Sequence, residues 1–192
     1  MRNLFIVLGV IIFICLIGGC SYNGMVSKEE NVKAKWGTVQ SQYQRRSDLI
    51  PNLVATVKGA ANFEKSTLVE VTNARARATS IQVDPTKLTP ENIQKYQAAQ
   101  GQLSTALGRL LVASENYPTL KANDNFTTLQ SQLEGTENRI NVARVDFNAA
   151  VQDYNTTVRS FPAVITARLF GFTEKGSFAA EAGAQNAPKV SF

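Results

Sequence analysis

Residues 123–160 read NDNFTTLQSQLEGTENRINVARVDFNAAVQDYNTTVRS and carry the most regular helical pattern of the chain. Apolar or small side chains recur at alternating spacings of three and four, at Phe126, Leu129, Leu133, Thr136, Ile140, Ala143, Phe147, Ala150 and Tyr154. This seven-residue repeat places them on one face of a helix that packs against other helices. The stretch predicts a helix roughly 57 Å long, because an α-helix rises 1.5 Å per residue.

Two further segments show the same period. In residues 31–57 the spacing is kept by Val32, Trp36, Val39, Tyr43, Arg46, Ile50, Leu53 and Val57. Ser27 and Glu30 have the spacing of a capping box and predict the start of this helix. The apolar pattern continues less regularly to about residue 79. Another helix is predicted from Thr89, with Pro90 at its first position, to Ser114.

Pro51 lies within the first of these helical patterns. A proline there removes a backbone hydrogen bond and clashes with the carbonyl four residues earlier, so we expect a bend or a restart. Residues 27–79 as one helix would span roughly 80 Å, more than the last helix. We expect a kink at Pro51, and folding back into a fourth helix is the alternative. Short linkers then predict an all-α, elongated, antiparallel up-and-down bundle of three to four long helices.

The N-terminus is apolar. Residues 4–19 read LFIVLGVIIFICLIGG, which is short for a membrane span of about 20 residues and typical of a signal peptide. The sequence then continues through Gly18-Gly19-Cys20, a pattern that resembles the lipobox of bacterial lipoproteins. We predict a signal or membrane anchor at residues 1–20 with lipidation at Cys20; an uncleaved transmembrane helix is the alternative. The bundle would occupy residues 21–172 and a flexible tail residues 173–192.

Composition restricts the possible chemistry. The chain has no histidine, and Cys15 and Cys20 are its only cysteines. No Ser-His-Asp or Cys-His arrangement is available, and the acidic residues lack metal-ligand spacing. We therefore predict a protein that is not an enzyme and has no cofactor, metal or small-molecule substrate. The net charge of +5 is spread along the chain, and its basic residues are interleaved with polar ones and form no patch with an aromatic platform, which argues against nucleic-acid binding.

Charged residues near Pro51 and on the last long helix form the best candidate polar network: Arg45, Arg46, Asp48, Glu134, Glu137 and Arg139. We interpret them as a structural network that fixes the alignment of the helices. The alternative is an envelope hydrolase that uses Glu64 or the Glu134/Glu137 pair. A deep pocket at those carboxylates would favour the hydrolase. Asn148, Asn155 and the glutamines at positions of the helical repeats, which include Gln97 and Gln100, are interpreted as hydrogen-bonding residues between helices.

Several ordered motifs resemble the LemA family of bacterial membrane-anchored helical proteins. They are YNGMV at residues 22–26, QYQRR at 42–46, DLIPNLV at 48–54, LQSQLEGTENRI at 129–140 and LFGF at 169–172. The resemblance implies an anchor followed by a helical bundle, and it transfers no catalytic residue. We therefore expect a non-catalytic structural or adaptor protein of the bacterial cell envelope that binds another envelope protein or itself.

Overall fold

A computed structural model gives the fold over residues 2–59 and 63–180, and describes the side chains there except those of residues 2–17 and Cys20. Within these residues the chain is all-α and contains no strand. The described helices are α1 (Arg2–Lys58), α2 (Lys65–Ser80), α3 (Pro90–Ser114), α4 (Pro118–Lys121), α5 (Asp124–Arg159) and α6 (Ala163–Phe170).

The helices form two antiparallel pairs, α1 with α5 and α2 with α3. Along α1, successive ion pairs run backwards along α5: Lys28 with Asp153, Lys35 with Asp146, and Arg46 with Glu137. Their order fixes the opposite directions of the two helices. The side chains of Arg46 and Trp36 also contact α3, so the two pairs share one core.

The helices predicted at residues 89–114 and 123–160 are confirmed. Thr89 caps α3 by accepting a hydrogen bond from the Asn92 amide at 3.3 Å, with Pro90 as the first helical residue. Asn123 caps α5 through its side-chain oxygen, at 2.9 Å from the Asn125 amide. The predicted start of the first helix at Ser27 is wrong, because the helical backbone of α1 is continuous from Arg2.

The alternative of a restart at Pro51 is also wrong, since α1 continues through it to Lys58. A single helix that runs on to about residue 79 is wrong as well, because α1 ends at Lys58 and α2 begins at Lys65. Helix α2 packs against α1 and is the fourth long helix. One contact explains why α1 tolerates the proline. The carbonyl of Ser47, which residue 51 would normally bind, accepts a hydrogen bond from Arg75 Nε of α2 at 2.9 Å. Whether Pro51 bends α1 stays a prediction.

This contact makes a testable prediction about Arg75. Replacing Arg75 with Ala leaves the carbonyl of the buried Ser47 without a donor, so the free energy of unfolding should fall by about 1–2 kcal/mol. In a Pro51→Ala background the new amide can bind the same carbonyl, so the loss should be smaller. Chemical denaturation of the four variants measures this coupling, with Arg77→Ala as the exposed control. Equal losses in both backgrounds would show that proline does not free this carbonyl.

The core has two apolar clusters along the bundle. One surrounds Trp36 and includes Phe147, and the other includes Ile50 and Phe126. Helix α2 covers only the second cluster, because it ends at Ser80. The first is closed by non-helical residues, which include Val83, Leu88 and Phe178.

The flexible tail predicted to begin at residue 173 is wrong for residues 173–180, which we name the C-terminal segment. Phe178 in this segment is 4% exposed, and Lys175 is also buried. The residues that surround the segment belong to α1, α3 and α5, so the segment is part of the folded body. Residues 181–192 lie outside the described residues.

The membrane anchor predicted at residues 1–20 and the lipidation site predicted at Cys20 lie outside the described side chains. They stay predictions. Among the residues that the structure does describe, no helix combines the length and the hydropathy needed to cross a membrane.

Candidate functional site

Arg46 forms the centre of a polar layer that joins all four long helices. Its Nη1 donates to Ser104 Oγ and to Glu137 Oε1, each at 2.7 Å. Its Nη2 donates to the side-chain oxygen of Gln100 at 2.6 Å and to the Gln100 carbonyl at 3.2 Å. Gln100 in turn donates to the carbonyl of Ala78 on α2 at 3.4 Å. One guanidinium therefore links α1, α3 and α5, and α2 through Gln100.

The arginine is almost fully buried, while its charged partner is not. Arg46 is 1% exposed and Glu137 is 40% exposed. A buried charge is tolerated only when it is paired and hydrogen-bonded, and four acceptor contacts meet that need here. The guanidinium also lies over the Tyr43 ring, at 5.0 Å from its centroid, where a cation is attracted by the aromatic face. Arg46 Nε has no partner among the described residues.

The polar layer separates the two apolar clusters, because Tyr43 belongs to the first and Ile50 to the second. Sliding α5 by one turn along α1 would move Glu137 away from Arg46 and leave the charge facing apolar side chains. A buried polar group of this kind can specify helix alignment at some expense of stability. This arrangement supports the interpretation of Arg46 as a structural residue.

Of the six residues predicted to form the network, the structure brings only Arg46 and Glu137 together. Asp48 accepts from Gln44 of its own helix at 2.7 Å, and Glu134 accepts from Gln130 at 3.1 Å. Arg139 donates to Thr136 at 3.1 Å, also within α5, and Arg45 is exposed.

Ser104 was not predicted as a partner of Arg46. Gln100 was predicted only as one of the glutamines that bond between helices, and it bonds to Arg46 of α1 and to Ala78 of α2. A buried glutamine requires hydrogen-bonding partners, so this position indicates a polar layer.

A second constellation holds the C-terminal segment. Three side-chain amides each bind both an N–H and a C=O of the segment's backbone at distances of 2.9–3.1 Å: Asn155 at Lys175, Asn148 at Phe178, and Gln97 at Ala179. The interpretation of Asn148 and Asn155 as bridges between helices is therefore wrong. Both amides take up backbone groups of a segment that has no strand or helix to satisfy them.

The segment also inserts side chains into the bundle. The Phe178 ring stacks against Trp36, with centroids 6.1 Å apart, and meets the Phe147 ring edge-on at 5.6 Å. Lys175 donates to Glu29 at 2.6 Å. Between them, Gly176 approaches the backbone so closely that a Cβ would lie 2.6 Å from the Cα of Pro90. Any larger residue at position 176 would displace the segment.

Tyr154 fixes the start of the segment by donating its hydroxyl proton to the Thr173 carbonyl at 3.1 Å. Burial raises the pKa of Tyr154 to about 12, and the nearby Glu29 carboxylate adds to the effect. The phenol is therefore a neutral donor throughout the physiological pH range.

An open groove of about 790 Å³ lies between α3 and α5 and adjoins the C-terminal segment. We name it the α3–α5 groove. Its apolar lining includes Leu107, Leu111, Leu133 and Val145, and Phe178, Ala179 and Ala180 line it as well. The segment thus reaches the groove, and the apolar surface extends beyond its last described residue.

The groove contains the carboxylates proposed for a hydrolase, Glu134 and Glu137. One Glu137 oxygen is bound by Arg46, and Glu134 accepts from Gln130. Glu64, the other candidate, is an exposed residue at the start of α2. Within the described part of the chain, no group of His, Cys, Asp and Glu has the arrangement of a metal site. The groove is therefore an open, largely apolar surface beside two carboxylates that other side chains of the bundle bind.

The fold and the two constellations define an all-α bundle protein that carries an extended segment along its side. The chain belongs to the LemA family, whose sequence model matches residues 35–192. This finding confirms the resemblance noted in the sequence motifs.

Individual relatives are similar to this chain along most of its length. The chain is similar to magnetosome protein MamQ 2 of Paramagnetospirillum magneticum, with 28% identity over 183 residues, covering 86% of this chain and 67% of the relative. It is also similar to MamQ of Magnetospirillum gryphiswaldense, with 27% identity covering 79% and 62% of the two chains. Protein LemA of Metamycoplasma hominis is 23% identical, covering 82% and 68%. None of these descriptions names a catalytic activity.

Proposed function

We propose that this chain is a membrane-tethered, non-catalytic adaptor whose α3–α5 groove binds a segment of another envelope protein. The observation that carries the proposal is the way the bundle holds its own C-terminal segment. Side-chain amides bind an extended backbone, and an aromatic pocket receives one ring. These are the elements by which proteins recognise extended peptides: backbone hydrogen bonds give affinity and side-chain pockets give specificity.

The groove continues where the described segment ends. Past Ala180, its apolar lining includes Leu107 and Leu111 of α3 and Leu133 of α5. Asn141 and Arg144 supply polar groups at its edge. An apolar surface with a polar margin is typical of a protein-binding site. A partner segment would lie against these leucines, next to the C-terminal segment.

The membrane tether is the second part of the proposal. Membership of the LemA family suggests an envelope-associated protein without catalytic activity. The apolar residues 4–19 and the lipobox-like end at Cys20 support attachment by acyl chains. A single acyl chain holds a protein only weakly, whereas several chains anchor it stably. An uncleaved transmembrane helix at residues 1–20 is the alternative form of tether.

A photo-crosslinking amino acid placed at two valines of α5 tests the adaptor role. Val145 lines the groove and is 68% exposed, whereas Val142 is 63% exposed and is not among the lining residues. In intact cells that produce the full chain, we expect position 145 to form a discrete crosslinked product that position 142 does not form. Mass spectrometry of that product identifies the partner.

Two results would contradict the adaptor role. Equal crosslinking at both valines would mean that the groove is no preferred binding surface. A product that contains two copies of this chain would assign the groove to self-association instead.

A further inference from the structure

Helix α6 exposes an unusual amount of apolar surface. Phe161, just before the helix, is 83% exposed, and Ile165 and Leu169 are 61% and 78% exposed. Ile165 and Leu169 are four residues apart and share the outer face of α6, and the exposed Phe161 precedes the helix; we call these three residues the apolar stripe. The opposite face of the helix is buried and includes Thr166 and Ala167. The bundle therefore uses one side of α6 and leaves its more apolar side to solvent.

The position of α6 in the fold indicates what covers the stripe. The Phe170 ring meets the Tyr22 ring of α1 with centroids 4.9 Å apart, and Phe172 meets the same ring at 5.5 Å. Tyr22 follows the apolar residues 4–19 by only three positions. At 1.5 Å per residue, Tyr22, and with it the C-terminal end of α6, lies about 5 Å along α1 from the end of that apolar stretch.

We propose that α6 lies on the surface of the phospholipid bilayer, with Phe161, Ile165 and Leu169 inserted at the boundary between headgroups and acyl chains. This inference rests on the membrane tether proposed above and identifies a second contact with the same membrane. Amphipathic helices bind bilayers in this orientation by burying one apolar face. Aromatic side chains such as Tyr22 and Phe170 are suited to the interface, and Arg168 is exposed and can reach the headgroups.

The contact would fix the orientation of the bundle relative to the membrane. A tether at residue 20 alone allows the body to tilt in any direction. A second attachment at α6 removes that freedom, because α6 packs against both α1 and α5. The α3–α5 groove would then point in a defined direction for its partner.

Tryptophan quenching by brominated phospholipids tests the contact in the full chain. Trp36 is the only tryptophan and is fully buried, so the parent gives a constant background. Leu169→Trp adds a reporter on the stripe, and Val112→Trp adds one at a residue that is 67% exposed near the C-terminal end of α3. Each variant is reconstituted into vesicles of phosphatidylethanolamine and phosphatidylglycerol, with or without bromine on the acyl chains.

We expect brominated lipid to remove most of the emission added by Leu169→Trp and to leave the emission of the parent and of Val112→Trp unchanged. Flotation of the vesicles measures the tether separately. If the chain floats with the vesicles but Leu169→Trp is not quenched, the α6 contact is wrong and the tether stands. If the chain does not float, the tether itself fails and the inference falls with it. A blue-shifted but unquenched Leu169→Trp signal from a dimer would show that a second copy covers the stripe.

Discussion

Replacing Arg46 with Ala should lower the free energy of unfolding by about 3 kcal/mol, because two effects add. Deleting a large buried side chain leaves a cavity, which costs about 2–5 kcal/mol when the surroundings cannot collapse. The side chain of Gln100, which is buried, also loses its donor. Glu137 contributes less, because it is 40% exposed and water can replace the arginine.

Arg45→Ala is the matched control. Arg45 is the neighbouring residue of the same helix and is exposed, so its replacement should change stability by less than about 0.5 kcal/mol. Thermal unfolding should show the melting temperature of Arg46→Ala reduced by roughly 6–12 °C. An unchanged melting temperature for Arg46→Ala, together with loss of a cellular activity, would identify Arg46 as a functional residue and not a structural one.

Phe178→Ala should release the C-terminal segment from the bundle. A buried phenylalanine replaced by alanine costs about 3–5 kcal/mol when a cavity remains. Detachment of the segment avoids this cavity, because water can then reach Trp36 and Phe147. The stability loss is therefore limited to the free energy that holds the segment, and local opening should exceed global destabilisation.

Two readouts separate release of the segment from global unfolding. Emission of Trp36 should shift to longer wavelength, and amide exchange should accelerate at residues 173–180 while α5 remains protected. Ser177→Ala is the control, because Ser177 lies in the same segment but is exposed. If exchange of the segment in Phe178→Ala matches that of the control, the aromatic contact does not hold it.

The sequence predicted a long helix well where the evidence for it lay within the residues of that helix. α3 and α5 begin and end within one residue of the expected positions, because their caps and heptads are local features. The division between α1 and α2 was misplaced because it depends on a contact between two helices. Pro51 is the stronger local break, but Arg75 of α2 binds the carbonyl that the proline leaves free, and α1 continues to Lys58.

The polar layer and the C-terminal segment could be predicted only in part. Arg46 was found because it occupies a position of the α1 repeat, and Glu137 because it lies next to the apolar face of the α5 repeat. Ser104 was missed because its contact depends on how α3 is aligned with α1, which no single helix encodes. The segment has no repeat of its own, and the groups that hold it, among them Asn148 and Gln97, belong to other elements.

The tether at the membrane is tested most directly by mass spectrometry of the N-terminal peptide of the protein purified from membranes. We predict a mature chain that begins at Cys20, with acyl chains on that residue and residues 1–19 removed. The reason is the lipobox-like sequence at Leu16-Ile17-Gly18-Gly19-Cys20 and the shortness of residues 4–19 for a membrane span. A chain that still begins at Met1, with an unmodified Cys20 thiol, would contradict lipid attachment and assign the segment to an uncleaved transmembrane helix.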